Sequence, residues 1–161
     1  MRPIVVVVFV AALAVAASAR VQTPAPNQAQ AAYQLGRDAV ARGEPAKAVE
    51  HFEKAVTLKP DSADYHYQLG NAYGQAVAAA GLFGGMSMAK KAKAEWERAV
   101  QHNPNLIAAR FALLEFDLQA PAIVGGSTAA ATDQATEIRQ RDAIDGHRAF
   151  ASIHAAAKKP D

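Results

Sequence analysis

The sequence predicts an all-α chain made of repeated helix hairpins, on three observations. Prolines at 45, 60, 104, 121 and 160 fall at intervals that suit helix ends rather than strands. Between them Ala, Leu, Gln, Lys and Glu dominate, all good helix formers. No stretch from Gln28 onward alternates apolar and polar residues over a strand's length with β-branched enrichment. Recurrence then divides the helices into repeats. Leu35-Gly36 is followed 34 residues later by Leu69-Gly70, and the string Ala48, Phe52, Ala55, Pro60 returns with identical internal spacing as Ala92, Trp96, Ala99, Pro104.

Residues 1–19 read as a leader. Arg2 is the only charge before an apolar run from Ile4 to Ala17, which is shorter than the roughly 20 residues that span a bilayer. The run ends in the small-x-small site Ala17-Ser18-Ala19, so cleavage is expected after Ala19 and a periplasmic or secreted address with it. An uncleaved membrane anchor is the alternative; after cleavage no membrane insertion is expected. Residues 20–28 hold two prolines and little apolar weight and read as a linker. The array then occupies 29–157, with repeats at about 29–62, 63–106 and 107–145 and a capping helix at 146–157. Gly43 suits the end of the first helix and Pro45 the first turn of the next. Asp142 or Asp145 suits the start of the capping helix. The third repeat is degenerate: Leu113-Leu114 stands where Leu69-Gly70 stood, and Ala131, Ala135 and Ile138 stand where Ala92, Trp96 and Ala99 stood.

These strings resemble the tetratricopeptide repeat (TPR), whose pattern places Leu-Gly, Tyr, Ala, an aromatic residue, Ala and Pro along 34 residues. The first copy matches at Leu35, Gly36, Ala48, Phe52, Ala55 and Pro60, with Ala32 and Ala39 where large aromatics usually stand. The second matches at Leu69, Gly70, Tyr73, Ala92, Trp96, Ala99 and Pro104. In the third, Asp117 replaces the Tyr and Ala143 the Pro. The resemblance, closest to small exported bacterial repeat proteins, implies a right-handed superhelical array of about three hairpins plus the cap. In such an array Phe52 and Trp96 would fill the gaps between successive hairpins. The first helix of each repeat would line a concave groove, offering Tyr33, Arg37 and Val40, then Asp64, Tyr67, Asn71 and Gln75, then Phe111, Glu115 and Leu118. A groove of that kind implies a protein or peptide partner. The alternatives are self-association into a homo-oligomer and a small-molecule site at the loop edge.

The second repeat is ten residues too long and the third five, the excess falling in 78–91 and 120–130. Both segments, expected as loops, carry an apolar pair and then Gly-Gly. Lying between the two helices of adjacent repeats, they must emerge on one edge of the array. Leu82, Phe83, Met86, Met88, Ile123 and Val124 are therefore a candidate apolar lip, unless the two loops pack on each other and close that edge.

The 161 residues include no cysteine, which excludes disulfides, thiolate nucleophiles, Fe–S clusters and cysteine-bound zinc. A net charge of +2 is too small for a nucleic-acid surface. The five histidines form no metal-ligand spacing and read as solvated or capping. Lys90, Lys91 and Lys93 read as a solvated face, and no serine lies in a nucleophile elbow. No cofactor, metal or catalytic residue is expected, and an enzyme is not.

Overall fold

The computed structural model describes residues 26–158; the expected leader, its cleavage site and most of the linker lie outside them. Seven α-helices follow in order: α1 (Pro26–Ala41), α2 (Pro45–Leu58), α3 (Ala63–Ala76), α4 (Gly81–His102), α5 (Ile107–Gln119), α6 (Thr128–Arg141) and α7 (Ala143–Ala157). Among the described residues there is no strand. Each helix packs mainly on its sequence neighbours, so α1/α2, α3/α4 and α5/α6 form three stacked hairpins, and α7 closes the end against α6 and α5.

The first turn shows why the chain reverses there. Gly43 has a left-handed φ of 69°. Its N–H donates to the Val40 carbonyl (3.0 Å) and the N–H of Glu44 to that of Ala39 (2.9 Å), the paired bonds of a Schellman cap. Pro45 then opens α2, where its missing N–H is of no consequence. At the other end Asp142 caps α7, accepting the Asp145 N–H at 2.8 Å.

The contact that fixes the hairpins is an aromatic ring laid on a glycine. A Cβ on Gly36 would stand 2.6 Å from the Phe52 ring, and one on Gly70 would stand 2.6 Å from the Trp96 indole. Phe52 and Trp96 therefore close the gap inside their own hairpins as well as joining Leu69, Ala72, Tyr73 and Leu113 in a core that runs between hairpins. Their expected place between successive hairpins is thus seen, and the contact inside each hairpin is an addition to it. In the third hairpin the sizes are exchanged. Leu114 takes the glycine position and Ala135 the aromatic one, and both are fully buried with Ala131, Ile138 and Ala149. The space between the helices is thus filled from the opposite side.

Polar contacts join one hairpin to the next. His66 of α3 is buried. Its Nε2 donates to the Pro60 carbonyl (2.8 Å) and its Nδ1 lies 2.6 Å from Glu95 Oε2 on α4. Arg110 repeats this in α5: Nε donates to the Pro104 carbonyl (2.9 Å) and Nη1 to Gln134 Oε1 on α6 (3.1 Å). Each of these two side chains fastens the proline that ends one repeat to the helices of the following one. Burial first, and then the charge of Arg141, push the Arg110 guanidinium below its ordinary range. The reading of every histidine as solvated or capping fails at His66. It lies against the Trp96-bearing helix and stacks on His102 with ring centroids 5.3 Å apart.

A second link runs from Tyr73, buried on α3, whose phenol donates to Glu53 on α2. Burial, then this bond to a carboxylate, raise the Tyr73 pKa well above the usual value of 10.0. Burial also raises that of Tyr33.

Two outcomes are expected. Gly70→Ala must displace the indole and costs about 1–3 kcal/mol. Gly74→Ala, on the same helix, places its Cβ 3.7 Å from the same indole, an ordinary contact. It gains about 0.5–1 kcal/mol from helix propensity; urea unfolding of both variants checks the opposed signs. The folded protein also holds the Tyr73 proton beyond the pH at which the unfolded chain releases it. The contribution of Tyr73 to stability is therefore constant up to about pH 10 and is lost above it, and Tyr73→Phe makes the alkaline fall in stability shallower.

Candidate functional site

The inserted segment of the second repeat is not a loop. A 3-10 turn at Ala78–Ala80 leads directly into α4, so residues 81–91 form three extra turns at its start. Gly85 permits this by packing beneath Val77, whose carbonyl would be 3.1 Å from a Cβ there. The prolonged helix carries Leu82 and Phe83 outward, 76% and 81% exposed, while Met88 turns inward against the main core.

The insertion of the third repeat is a loop up to Ser127, after which α6 begins with the Ser127 hydroxyl accepting the Ala130 N–H at 3.3 Å. It contains a 3-10 turn at Ala122–Val124 and reverses at Gly125, whose φ of 104° favours glycine. Lys93 pins it: its ammonium donates to Asp117 Oδ1 at 2.7 Å and to the Gly125 carbonyl at 2.6 Å. The Ser127 N–H adds a bond to the Asp117 carbonyl at 3.0 Å. Lys93 is therefore no part of a solvated face; it pairs with a carboxylate that is 2% exposed. The pinned loop presents Ile123 outward, 75% exposed, and buries Val124. Val124 and Met88 were expected on the lip and belong largely to the packing beneath it.

Together the two segments wall a cleft of about 1140 Å³ running between α3 and α5. Tyr67 and Asn71 reach it from α3, Phe111 and Glu115 from α5, Leu82 and Met86 from the start of α4, and Ile123 and Val124 from the pinned loop. Four residues of the groove set and four of the lip set, separate in sequence reasoning, are two sides of one surface. Asn71 is partly committed, since its Oδ1 accepts from Trp96 Nε1 at 3.0 Å, which orients the indole forming the cleft floor.

Six expected groove positions lie elsewhere, among them Asp64, exposed on α3 outside the cleft wall, and Leu118, packed against the core of the third hairpin. Tyr33 stacks on Tyr65, centroids 4.7 Å apart, and ties α1 to α3. Arg37 and Val40 border a smaller recess of about 340 Å³ beside Phe52. Gln75 is exposed and outside the cleft wall. Conversely, sequence reasoning missed Arg148 and Ser152, which line the cleft from α7. Arg148 lies over the Phe111 ring at 5.5 Å and pairs with Asp145 at 2.7 Å. Nothing in the repeat pattern places a capping helix beside a groove, so only its i,i+3 pairing with Asp145 was readable.

Among the described residues no group of three metal-ligating side chains gathers, and no helix is long and apolar enough to cross a membrane. The charged side chains lining the cleft are Glu115 and Arg148.

A family model for the TPR repeat matches residues 36–76, from Gly36 to the end of α3. No curated protein matches the chain. Among solved structures, the first TPR domain of Spaghetti (RPAP3), bound to the HSP90 peptide SRMEEVD, is similar with a TM-score of 0.62. The two share 12% identity over 83% of this chain and 98% of that one. The fold is an all-α, TPR-type array.

The Lys93–Asp117 bond predicts its own test. Lys93→Met strands a buried carboxylate and costs about 3 kcal/mol in chemical denaturation, whereas Lys93→Met combined with Asp117→Leu recovers most of that loss.

Proposed function

We propose that the protein is a non-catalytic interaction module of the bacterial envelope, reached after removal of residues 1–19, and that it holds a peptide or protein segment in the cleft between α3 and α5. The observation that carries this reading is the union of the groove and the lip. Leu82 and Ile123 stay exposed on the rim of an apolar cleft floored by Trp96, and Phe83, next to Leu82 in α4, is exposed outside the cleft wall. Folding gains nothing from large apolar side chains left in water, so their placement beside a concave apolar surface favours a partner that covers them. The volume of about 1140 Å³ lies above the roughly 300–1,000 Å³ typical of small-molecule sites and suits a length of chain. The similar RPAP3 domain holds a peptide, which supports the same class of ligand here. The lining residues also favour a non-catalytic reading, because, among the described residues, Glu115 stands on the cleft wall without a second carboxylate, a histidine or a lysine to share acid–base work.

A peptide library selected on the protein tests this. Selected peptides should shift the emission of Trp96, the single tryptophan of the chain. Leu82→Asp and Ile123→Asp, at exposed positions that leave the fold intact, should each weaken them by roughly tenfold or more. Selected peptides that ignore both changes place the binding surface elsewhere. In light scattering, a dimer lost in Leu82→Asp would assign the cleft to a second copy instead. For the envelope address, mass spectrometry of the full chain expressed in a bacterium should find Arg20 as the first residue.

A further inference from the structure

We propose that the segment held in the cleft carries a cationic side chain flanked by apolar ones, and that Glu115 selects it; this deepens the proposed function and rests on it. Of the two charged residues on the cleft wall, Arg148 is already committed. Its guanidinium pairs with Asp145 at 2.7 Å and lies over Phe111 at 5.5 Å. Lys93, behind the pinned loop, is committed to Asp117 and the Gly125 carbonyl. Glu115 is exposed and, among the described residues, makes no ion pair. With Asp145 and Arg148 cancelling, its carboxylate is the uncompensated charge of the cleft.

Position makes that charge selective. Glu115 stands one helical turn after Phe111 on the same face of α5, so apolar anchoring and the carboxylate are presented together. A low-dielectric wall beside a charge strengthens its attraction for an opposite one and its repulsion of a like one. The same wall already holds a cation, since Arg148 over Phe111 is the arrangement that an incoming lysine or arginine would make with the neighbouring aromatic faces. An acidic segment would bring its carboxylates to Glu115, and the cation on the wall, Arg148, already shares its charge with Asp145. The acidic character of SRMEEVD in the RPAP3 domain is therefore the electrostatic opposite of what this cleft favours.

The test uses three blocked peptides, GSLAFKLASG and its counterparts with Glu or Gln in place of Lys, titrated against the protein with Trp96 emission as the readout. The Lys peptide should bind roughly tenfold more tightly than the Glu peptide at low salt. The margin should shrink at about 1 M salt, where screening acts over about 3 Å. Glu115→Lys should reverse the order and Glu115→Gln should level it, with helicity unchanged because the side chain is exposed. Equal binding of all three peptides to the parent protein, or tighter binding of the Glu peptide, overturns cation selection and leaves the cleft as a peptide site. If no peptide moves Trp96 emission, the cleft reading falls and cation selection falls with it.

Discussion

A ring pressed onto a bare stretch of helix backbone is the interaction on which this molecule depends. Neither helix of a hairpin can cover its apolar stripe alone, and the two can approach closely only where one lacks a side chain. Gly36 and Gly70 supply that gap, and Phe52 and Trp96 fill it. The arrangement sets the spacing of the first two hairpins and hence the line of first helices that becomes the groove. It also fixes the indole of Trp96 with its edge toward Asn71, making one residue both the lock of the second hairpin and the floor of the cleft. Stability and binding surface cannot be separated at that position.

Between hairpins the load passes to buried polar contacts. His66 and Arg110 occupy corresponding places in the second and third repeats, and each reaches back to the carbonyl of the proline that closes the preceding repeat. A carbonyl freed at a helix end needs a donor, and a proline two residues beyond the helix makes that carbonyl recur at a fixed place. Tyr73 and Asp117 form a second corresponding pair, bonding to Glu53 and Lys93 on the second helix of the preceding hairpin. Replacing a phenol by a carboxylate there required a cation opposite it. The same cation then had a second bond to offer, and the inserted loop took it at Gly125. The loop that walls the cleft is thus held by the substitution that made the third repeat look degenerate.

The fold class, the hairpin order and the turn at Gly43 were legible because they follow from local rules: helix propensity, proline and glycine punctuation, and exact spacing of the ring-and-glycine strings. The third repeat was legible only in outline. A complementary exchange of large and small residues, Leu114 for glycine and Ala135 for the aromatic, preserves volume while erasing the motif. The insertion of the second repeat was misjudged for a different reason. Gly-Gly reads as a loop when propensity alone is weighed, yet Gly84-Gly85 lies in a helix because close packing against Val77 outweighs the propensity cost. The pairings of His66 with Glu95 and of Lys93 with Asp117 span 29 and 24 residues and obey no helical spacing, so they become visible only once the hairpins are stacked. The same holds for the cleft: a third of its residues were named, but the arrival of α7 beside α5 was not.

The cleft lies between the second and third hairpins, and the way those hairpins differ from the first explains why. The first hairpin closes with a three-residue turn and leaves beside Arg37 a recess of only about 340 Å³. Three added turns on α4 raise one wall, and the pinned loop after α5 raises the other. At the far end α7, packed on α6 and α5, brings Arg148 over Phe111 and so gives the cleft an end. Each of these additions costs ordering entropy, and the first and second leave large apolar side chains in water. A chain selected for stability alone would not retain them. Leu82 and Ile123 both line one concave surface, and that shared placement is what the proposed binding role would add to a requirement for folding.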